Sequence, residues 1–278
     1  MKNYISLTLF ISIFLLLGCS DKPKEIQQNI NITAISKNFP AWWEYHSNNI
    51  VLSSSFIPLD ESSNFISKGH FFQSLISGEY IPIKIDKKNA TTYYQLFKLD
   101  NNSDKDISST IKNTAKVVYS HYLMEGEAFP KFNFTDLNGD IYNNENTKGN
   151  IIILKCWFIH CKACVAEFPE LNELVDKYKN REDIIFLSLA FDTEDELKRF
   201  LIKKPFNYKV AAVEKSFFDQ ELKISEYPTH FIIDNEGIIK KVVNTSKELF
   251  LEFADKGILN SANSSTRSVP PPPSALAE

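Results

Sequence analysis

Cys161 and Cys164 stand two residues apart, just beyond an apolar run from Ile151 to Trp157 that only Lys155 interrupts. An unbroken run of that length is the pattern of a strand buried on both faces of a sheet. Helical spacing follows from about Lys162 to Lys179, so the cysteine pair falls where a buried strand gives way to a helix. The first turn of a helix brings positions i and i+3 within the short Cβ separation that a disulfide requires. Cys161 then occupies the helix N-terminus, where unpaired N–H groups and the helix dipole favour thiolate, and Cys164 lies one turn inside. The pattern reads as a redox dithiol, with Cys161 the nucleophile and Cys164 the thiol that resolves a mixed disulfide. Its rival is a metal module, for instance a Cu(I) carrier using both thiolates with His160 or His230. A four-ligand site needs two further ligands, yet the chain has four cysteines in all and no second C-x-x-C. Cys156 lies inside the apolar strand and reads as a small buried hydrophobe. No metal or other cofactor is expected.

The surrounding pattern makes this junction part of an α/β domain. Phe132–Phe134 and Ile141-Tyr142 flank Asn138-Gly139, a strong hairpin signal. Further strands are expected at Ile184 to Phe191, Tyr208 to Val213, Thr229 to Ile233 and Ile238 to Val243. Helices are expected at Thr193 to Lys203, Phe217 to Ile224 and Lys247 to Ala254. Strands alternating with helices imply a central mixed sheet flanked by helices over residues 125–260.

Upstream, residues 39–124 read as a smaller α+β module of unassigned role. Trp42-Trp43, Ile50 to Leu52, Tyr80 to Ile85 and Tyr93 to Leu99 have strand-like composition, and Ile107 to Tyr122 has helical spacing. His46, His70 and His121 are dispersed and read as surface or satisfied histidines. Residues 1–18 combine Lys2, an apolar run from Ile5 to Leu17 and a small residue before Cys19, the form of a secretory signal. Leu16-Leu17-Gly18-Cys19 resembles a lipobox, which makes Cys19 the expected lipidation site and membrane anchor. The run is shorter than the roughly 20 residues of a membrane-spanning helix. Residues 19–38 read as a tether, and 261–278, with Pro270 to Pro273, as a disordered tail. A net charge of −4 without a long basic run leaves no electrostatic footprint for nucleic acid.

Glu127-Ala128-Phe129-Pro130, the hairpin with Gly139, Trp157 four before Cys161, Glu167-Phe168-Pro169, and Tyr227-Pro228-Thr229 before Phe231-Ile232-Ile233-Asp234 recur in a characteristic order. Together with the cysteine pair they resemble the thioredoxin-like TlpA/ResA family of membrane-tethered or periplasmic thiol-disulfide reductases. The resemblance spans about residues 125–258 and implies a thioredoxin-like fold. It makes Cys161 and Cys164 the active pair and Pro228 a cis-proline facing it, and assigns Tyr227 and Trp157 to the substrate side. Glu167 matches an acidic residue held beside the pair in some members; a proton-transfer role and a solvated helix carboxylate both remain open for it. Pro169 should kink the helix, as the family's proline does. His160 stands where the family usually has Trp, and its imidazole could exchange protons or, charged, stabilise the Cys161 thiolate. Lys155 stands where thioredoxins have a buried carboxylate, and either snorkels outward or lowers a thiol pKa.

The expected partners are disulfide-bearing envelope proteins, apocytochromes awaiting haem among them, and a membrane thiol donor, because that compartment is oxidising. The expected location is the periplasm-facing bacterial envelope, lipid-anchored, with Ser20 after Cys19 pointing to the outer membrane. A peroxide-reducing enzyme of the same fold would need an Arg and a Thr or Ser in a peroxidatic loop, and none is evident.

Overall fold

In the computed structural model, residues 31–85 and 91–255 are described. Cys19, with the rest of 1–30, and the tail beyond 255 lie outside the described residues. The chain enters through a short helix α1 (Ile32–Ile35) and α2 (Phe39–Asn49), then β1 (Ile57–Leu59), α3 (Lys68–Ser77), β2 (Tyr80–Ile85), β3 (Tyr93–Lys98) and a long α4 (Lys105–Met124). β1 runs parallel to β3 and β2 antiparallel to it, giving a three-stranded sheet in the order β1-β3-β2. Trp42, Phe71, Phe72, Leu75, Ile107 and Ile111 pack a core between this sheet and the helices.

Three expectations change in this half. Ile50 to Leu52 form no strand but the connection that leaves α2 for a turn. Trp42-Trp43 belongs to α2, whose start is set by Asn38 accepting from Ala41 N–H and by Pro40 in the first turn. The tether is also shorter than expected, because Ile32 and Ile35 already pack against the core.

The second half begins with a hairpin of β4 (Asn133–Thr135) and β5 (Ile141–Asn143). Asp136 Oδ1 accepts from the amides of Asn138 and Asp140, and Gly139 takes the φ of +93° that this turn demands. There follow β6 (Ile151–Trp157), α5 (Lys162–Ala166), α6 (Phe168–Tyr178), β7 (Ile184–Ala190), α7 (Glu194–Lys203), β8 (Lys209–Ala212), a π-helical turn at Phe217–Glu221, β9 (Thr229–Ile233), β10 (Ile239–Val243) and α8 (Ser246–Asp255). The sheet order is β10-β9-β6-β7-β8, with β6, β7 and β8 parallel and β9 and β10 antiparallel additions. This is a thioredoxin-like fold.

Central strand β6 is buried along its whole length, as its composition requires. Its even positions, Ile152, Leu154 and Cys156, join Phe218, Phe231 and Phe129 on one face. Its odd positions, Ile151, Ile153 and Trp157, meet Leu171, Leu174, Phe168 and Leu249 on the helix-covered face. Lys155 belongs to that odd set and must enter a core.

The helix expected over 162–179 is two pieces. Pro169 has no N–H for the carbonyl of Val165, which accepts from the Glu167 amide instead, and the helix breaks at Glu167.

The two halves are in contact. β10 lies against α4, and the Lys241 ammonium is 2.8 Å from the Glu125 carboxylate at the end of α4. Gly126 N–H donates to the Ile239 carbonyl, and Ser53 Oγ donates to Glu248 Oε1 at 2.6 Å.

Candidate active site

Strand β6 delivers the chain to Cys161 through Phe158-Ile159-His160. Asp192, at the end of β7, accepts from Ile159 N–H at 2.8 Å and pins that approach. Cys161 is the N-cap of α5: its Sγ accepts from the Cys164 amide at 3.1 Å. The two sulfurs form a disulfide with a Cα–Cα distance of 5.2 Å, within the range the bond requires. Cys161 keeps 8% of its surface exposed and Cys164 none, so the outer sulfur is the one open to attack.

The Tyr227–Pro228 peptide is cis. Cys156 on β6 pairs with Thr229 on β9, which puts Pro228 at the same end of the sheet as the disulfide. Tyr227 packs against the cluster that contains both cysteines, with its ring 5.5 Å from Phe158 and 5.6 Å from Phe191.

Behind the disulfide lies a buried polar cluster. Lys155 Nζ donates to Glu167 Oε2 at 2.5 Å, His230 Nε2 lies 3.0 Å from the same oxygen, and Ser246 N–H donates to Oε1 at 2.9 Å. Lys155 and His230 are cross-strand neighbours with no exposed surface. Burial lowers the His230 imidazole to about 4, with Lys155 acting in the same direction, so the ring is neutral at pH 7 and donates through Nε2. Its Nδ1 is then a buried acceptor without a partner among the described residues. Burial pushes the Glu167 carboxyl up, but the hydrogen bonds from His230 and Lys155, with the Lys155 charge, outweigh it and hold the group at about 2.

Residues 126–242 match the AhpC/TSA family model. Over 128 residues the chain is 30% identical to the thiol-disulfide oxidoreductase ResA of Bacillus cereus, an overlap of 46% of this chain and 74% of that one. The chain belongs to the ResA family of thiol-disulfide oxidoreductases. The thioredoxin-like protein YneN of Bacillus subtilis is 24% identical over 132 residues, 46% of this chain and 77% of its own. Among solved structures, the thioredoxin domain of a thiol-disulfide oxidoreductase from Bacteroides vulgatus has 19% identity and a TM-score of 0.43, covering 47% of this chain and 95% of that one.

Against this background several expected residues change position. Trp157, expected on the substrate side, is fully buried: its indole N–H donates to Ser188 Oγ at 3.3 Å and its ring meets Phe168 edge-on at 4.9 Å. It is a core residue under the site. Glu167 is no solvated carboxylate, and as an acid held at about 2 by His230 and Lys155 it is a poor proton carrier near neutral pH. Lys155 does not snorkel; the parity of β6 sends it inward. His160 is exposed at the mouth, where a positive imidazolium would favour the Asp192 and Glu196 carboxylates. His46 and His121 are buried, not surface, residues.

His230, the other candidate ligand, has its Nε2 committed to Glu167. Among the described residues no group of three or more His, Cys, Asp or Glu side chains converges to hold a metal ion. None of the described helices is long and apolar enough to cross a membrane.

Sequence reasoning missed Asp192 as a site residue, although it stands beside a strong capping box at Thr193 and Glu196. It also missed the turn at Asn244, whose side chain donates to the Pro228 carbonyl at 3.1 Å.

Proposed function

We propose that the chain reduces disulfides in proteins of a bacterial envelope, held to the membrane by a lipid on Cys19. In the reduced state the Cys161 thiolate attacks one sulfur of a substrate disulfide. That bond breaks, the first substrate sulfur leaves as a thiolate and takes a proton, and Cys161 forms a mixed disulfide. Cys164, deprotonated, then attacks Cys161 Sγ and releases the second substrate sulfur as a thiol. Two electrons have passed to the substrate, and the Cys161–Cys164 disulfide is left. A thiol donor at the membrane returns the pair to its reduced form. Tyr227 and cis-Pro228 offer backbone to an extended substrate segment beside the exposed sulfur. His160 sits at the mouth, where a positive imidazolium would favour the attacking thiolate.

The observation that carries this reading is the Cys161–Cys164 disulfide itself, capped at the start of α5, with Cys161 the more accessible of the two residues, at the sheet end that also bears cis-Pro228. The test is a trapping experiment on the reduced protein with a disulfide-bearing envelope protein. Cys164→Ser should accumulate a covalent mixed disulfide through Cys161, whereas Cys161→Ser should neither trap nor reduce. The pair should also titrate as one two-electron couple toward the thioredoxin end of the range, about −270 mV. Reduction that survives Cys161→Ser would sink the mechanism, and a strongly oxidising potential would reverse its direction. Membrane fractionation of Cys19→Ser tests the anchor, since the protein should then leave the membrane.

A further inference from the structure

The turn between β10 and α8, Asn244-Thr245-Ser246, touches three parts of the molecule at once. Asn244 Nδ2 donates to the Pro228 carbonyl at 3.1 Å and to Thr229 Oγ1 at 3.2 Å, and the Thr229 hydroxyl in turn donates to the Glu226 carbonyl at 2.6 Å. The cis-proline loop is therefore tied on both sides of its bend. Ser246 N–H donates to Glu167 Oε1, and Ser246 Oγ to Glu170, so the same turn grips the helix pair that begins at the cysteines. The third contact comes from the N-terminal module.

Thr245 and Glu248 form a Thr-x-x-Glu start to α8: Thr245 Oγ1 accepts from Glu248 N–H, and Glu248 Oε2 accepts from Asn244 N–H at 3.2 Å and from Thr245 Oγ1 at 3.1 Å. A helix cap of this kind needs only one carboxylate oxygen. The other, Oε1, accepts from Ser53 Oγ at 2.6 Å, 195 residues away in sequence. Ser53 is buried, in the loop between α2 and β1 that also contributes Leu52 to the N-terminal core. A charge-assisted bond at that distance fixes the Glu248 side chain, which holds the Asn244 backbone, which places the Asn244 amide.

We infer that Ser53, Glu248 and Asn244 are positioning residues through which the N-terminal module holds the cis-Pro228 loop in register for a protein substrate. This gives the module a part in the reaction beyond that of a spacer. It rests on the proposed use of the Tyr227–Pro228 loop as the substrate-pairing segment. None of the three residues touches the reacting sulfurs. Their effect falls on recognition of an extended peptide, not on thiol chemistry. The decisive measurement is energetic.

The experiment uses the full chain. Ser53→Ala removes the module's donor and leaves the α8 cap intact. The expected result is a kcat/KM for a protein disulfide lower by about 5-fold, the low end of measured coupling between sites, carried by KM with kcat held. The reaction of the reduced protein with a small aromatic disulfide should keep the wild-type rate. Ser53→Thr, which retains the hydroxyl, should restore the protein-disulfide rate. Combined with Asn244→Asp, an isostere that cannot donate to the Pro228 carbonyl, the loss should be smaller than the product of the single losses, because both act on one line.

In 15N-labelled protein, Ser53→Ala should shift the Asn244 side-chain NH2 and the Thr229 amide. Unmoved Asn244 and Thr229 signals, a purely additive double variant, or an equal loss toward small and protein disulfides would each overturn the inference. If the wild type reduces no protein disulfide, the parent reading fails instead, and the NMR shifts still decide the linkage.

Discussion

Lys155 Nζ lies 2.5 Å from Glu167 Oε2, and the Lys155 side chain has no exposed surface. A buried ion pair of this kind is weak evidence for stability, but removing one partner leaves an uncompensated charge and costs about 3–5 kcal/mol. The geometry ranks the two possible losses. Glu167→Leu orphans three donors at once, namely Lys155 Nζ, His230 Nε2–H and Ser246 N–H. Lys155→Met removes one donor and leaves the carboxylate with two. Urea unfolding of the oxidised protein should show Glu167→Leu as the more destabilised by at least ~1 kcal/mol, the worth of one extra unsatisfied buried group. A Lys155→Met protein as unstable as Glu167→Leu would refute that ranking.

Three buried histidines set the acid limit of the fold. Burial lowers His46 to about 4; burial and then Lys241 lower His121 to about 4; burial and then Lys155 lower His230 to about 4. Each folded value lies below the ordinary 6.5. The stability each contributes is therefore fully present above pH 6.5 and lost as pH falls through 4, because the unfolded chain binds the proton first. Each histidine adds a slope of up to about 1.4 kcal/mol per pH unit within that window. Unfolding midpoints measured from pH 7 to 4 should fall steeply, and His121→Gln should flatten the slope by roughly one histidine's share. A midpoint independent of pH over that range would contradict the burial of these rings.

The site half of the molecule was legible in the sequence because local signals and global fold agree there. The uninterrupted run 151–157, the Asn138-Gly139 turn and the cysteine spacing each admit few structures, and the observed elements start within a residue or two of where these signals put them. The N-terminal half offered weaker punctuation. Trp42-Trp43 reads as strand by composition, yet Asn38 and Pro40 cap a helix there. The helix Lys68–Ser77 went unread although Ser67 and Gly78 bracket it. The Lys155–Glu167–His230 cluster joins positions 12 and 63 residues apart. Only strand parity could have anticipated it, since Lys155 shares the odd face with Ile151, Ile153 and Trp157. Nothing local announced Ser53 as the partner of Glu248.

Gly78, between α3 and β2, lies directly against α4. It ends α3 with φ +79°, its carbonyl accepts from Ser108 Oγ at 2.6 Å, and a Cβ placed on it would lie 2.8 Å from that oxygen. Gly78→Ala therefore combines left-handed strain with a clash against a hydrogen-bonded side chain. A loss of about 1–3 kcal/mol is expected. Gly126→Ala, at φ +95° with open space around the new Cβ, isolates the strain alone and should cost less. Equal losses in thermal unfolding would show that the Ser108 contact contributes nothing.

The two thiols on either side of Trp157 and His160 should differ in reactivity despite lying five residues apart. Cys161 is partly exposed at a helix start, whereas Cys156 has no exposed surface and burial pushes its thiol far above the ordinary cysteine range, Lys155 pulling back only in part. After reduction of the native protein, iodoacetamide should label Cys161 promptly and Cys156 only through opening of the central strand. Opening of a core strand requires a large part of the global unfolding free energy, so Cys156 labelling should be at least about 100-fold slower and should accelerate with urea. Fragment-resolved mass spectrometry separates the two sites on one peptide. Cys156 labelling at a rate comparable to Cys161, without denaturant, would mean that β6 is not the closed central strand on which the placement of the disulfide depends.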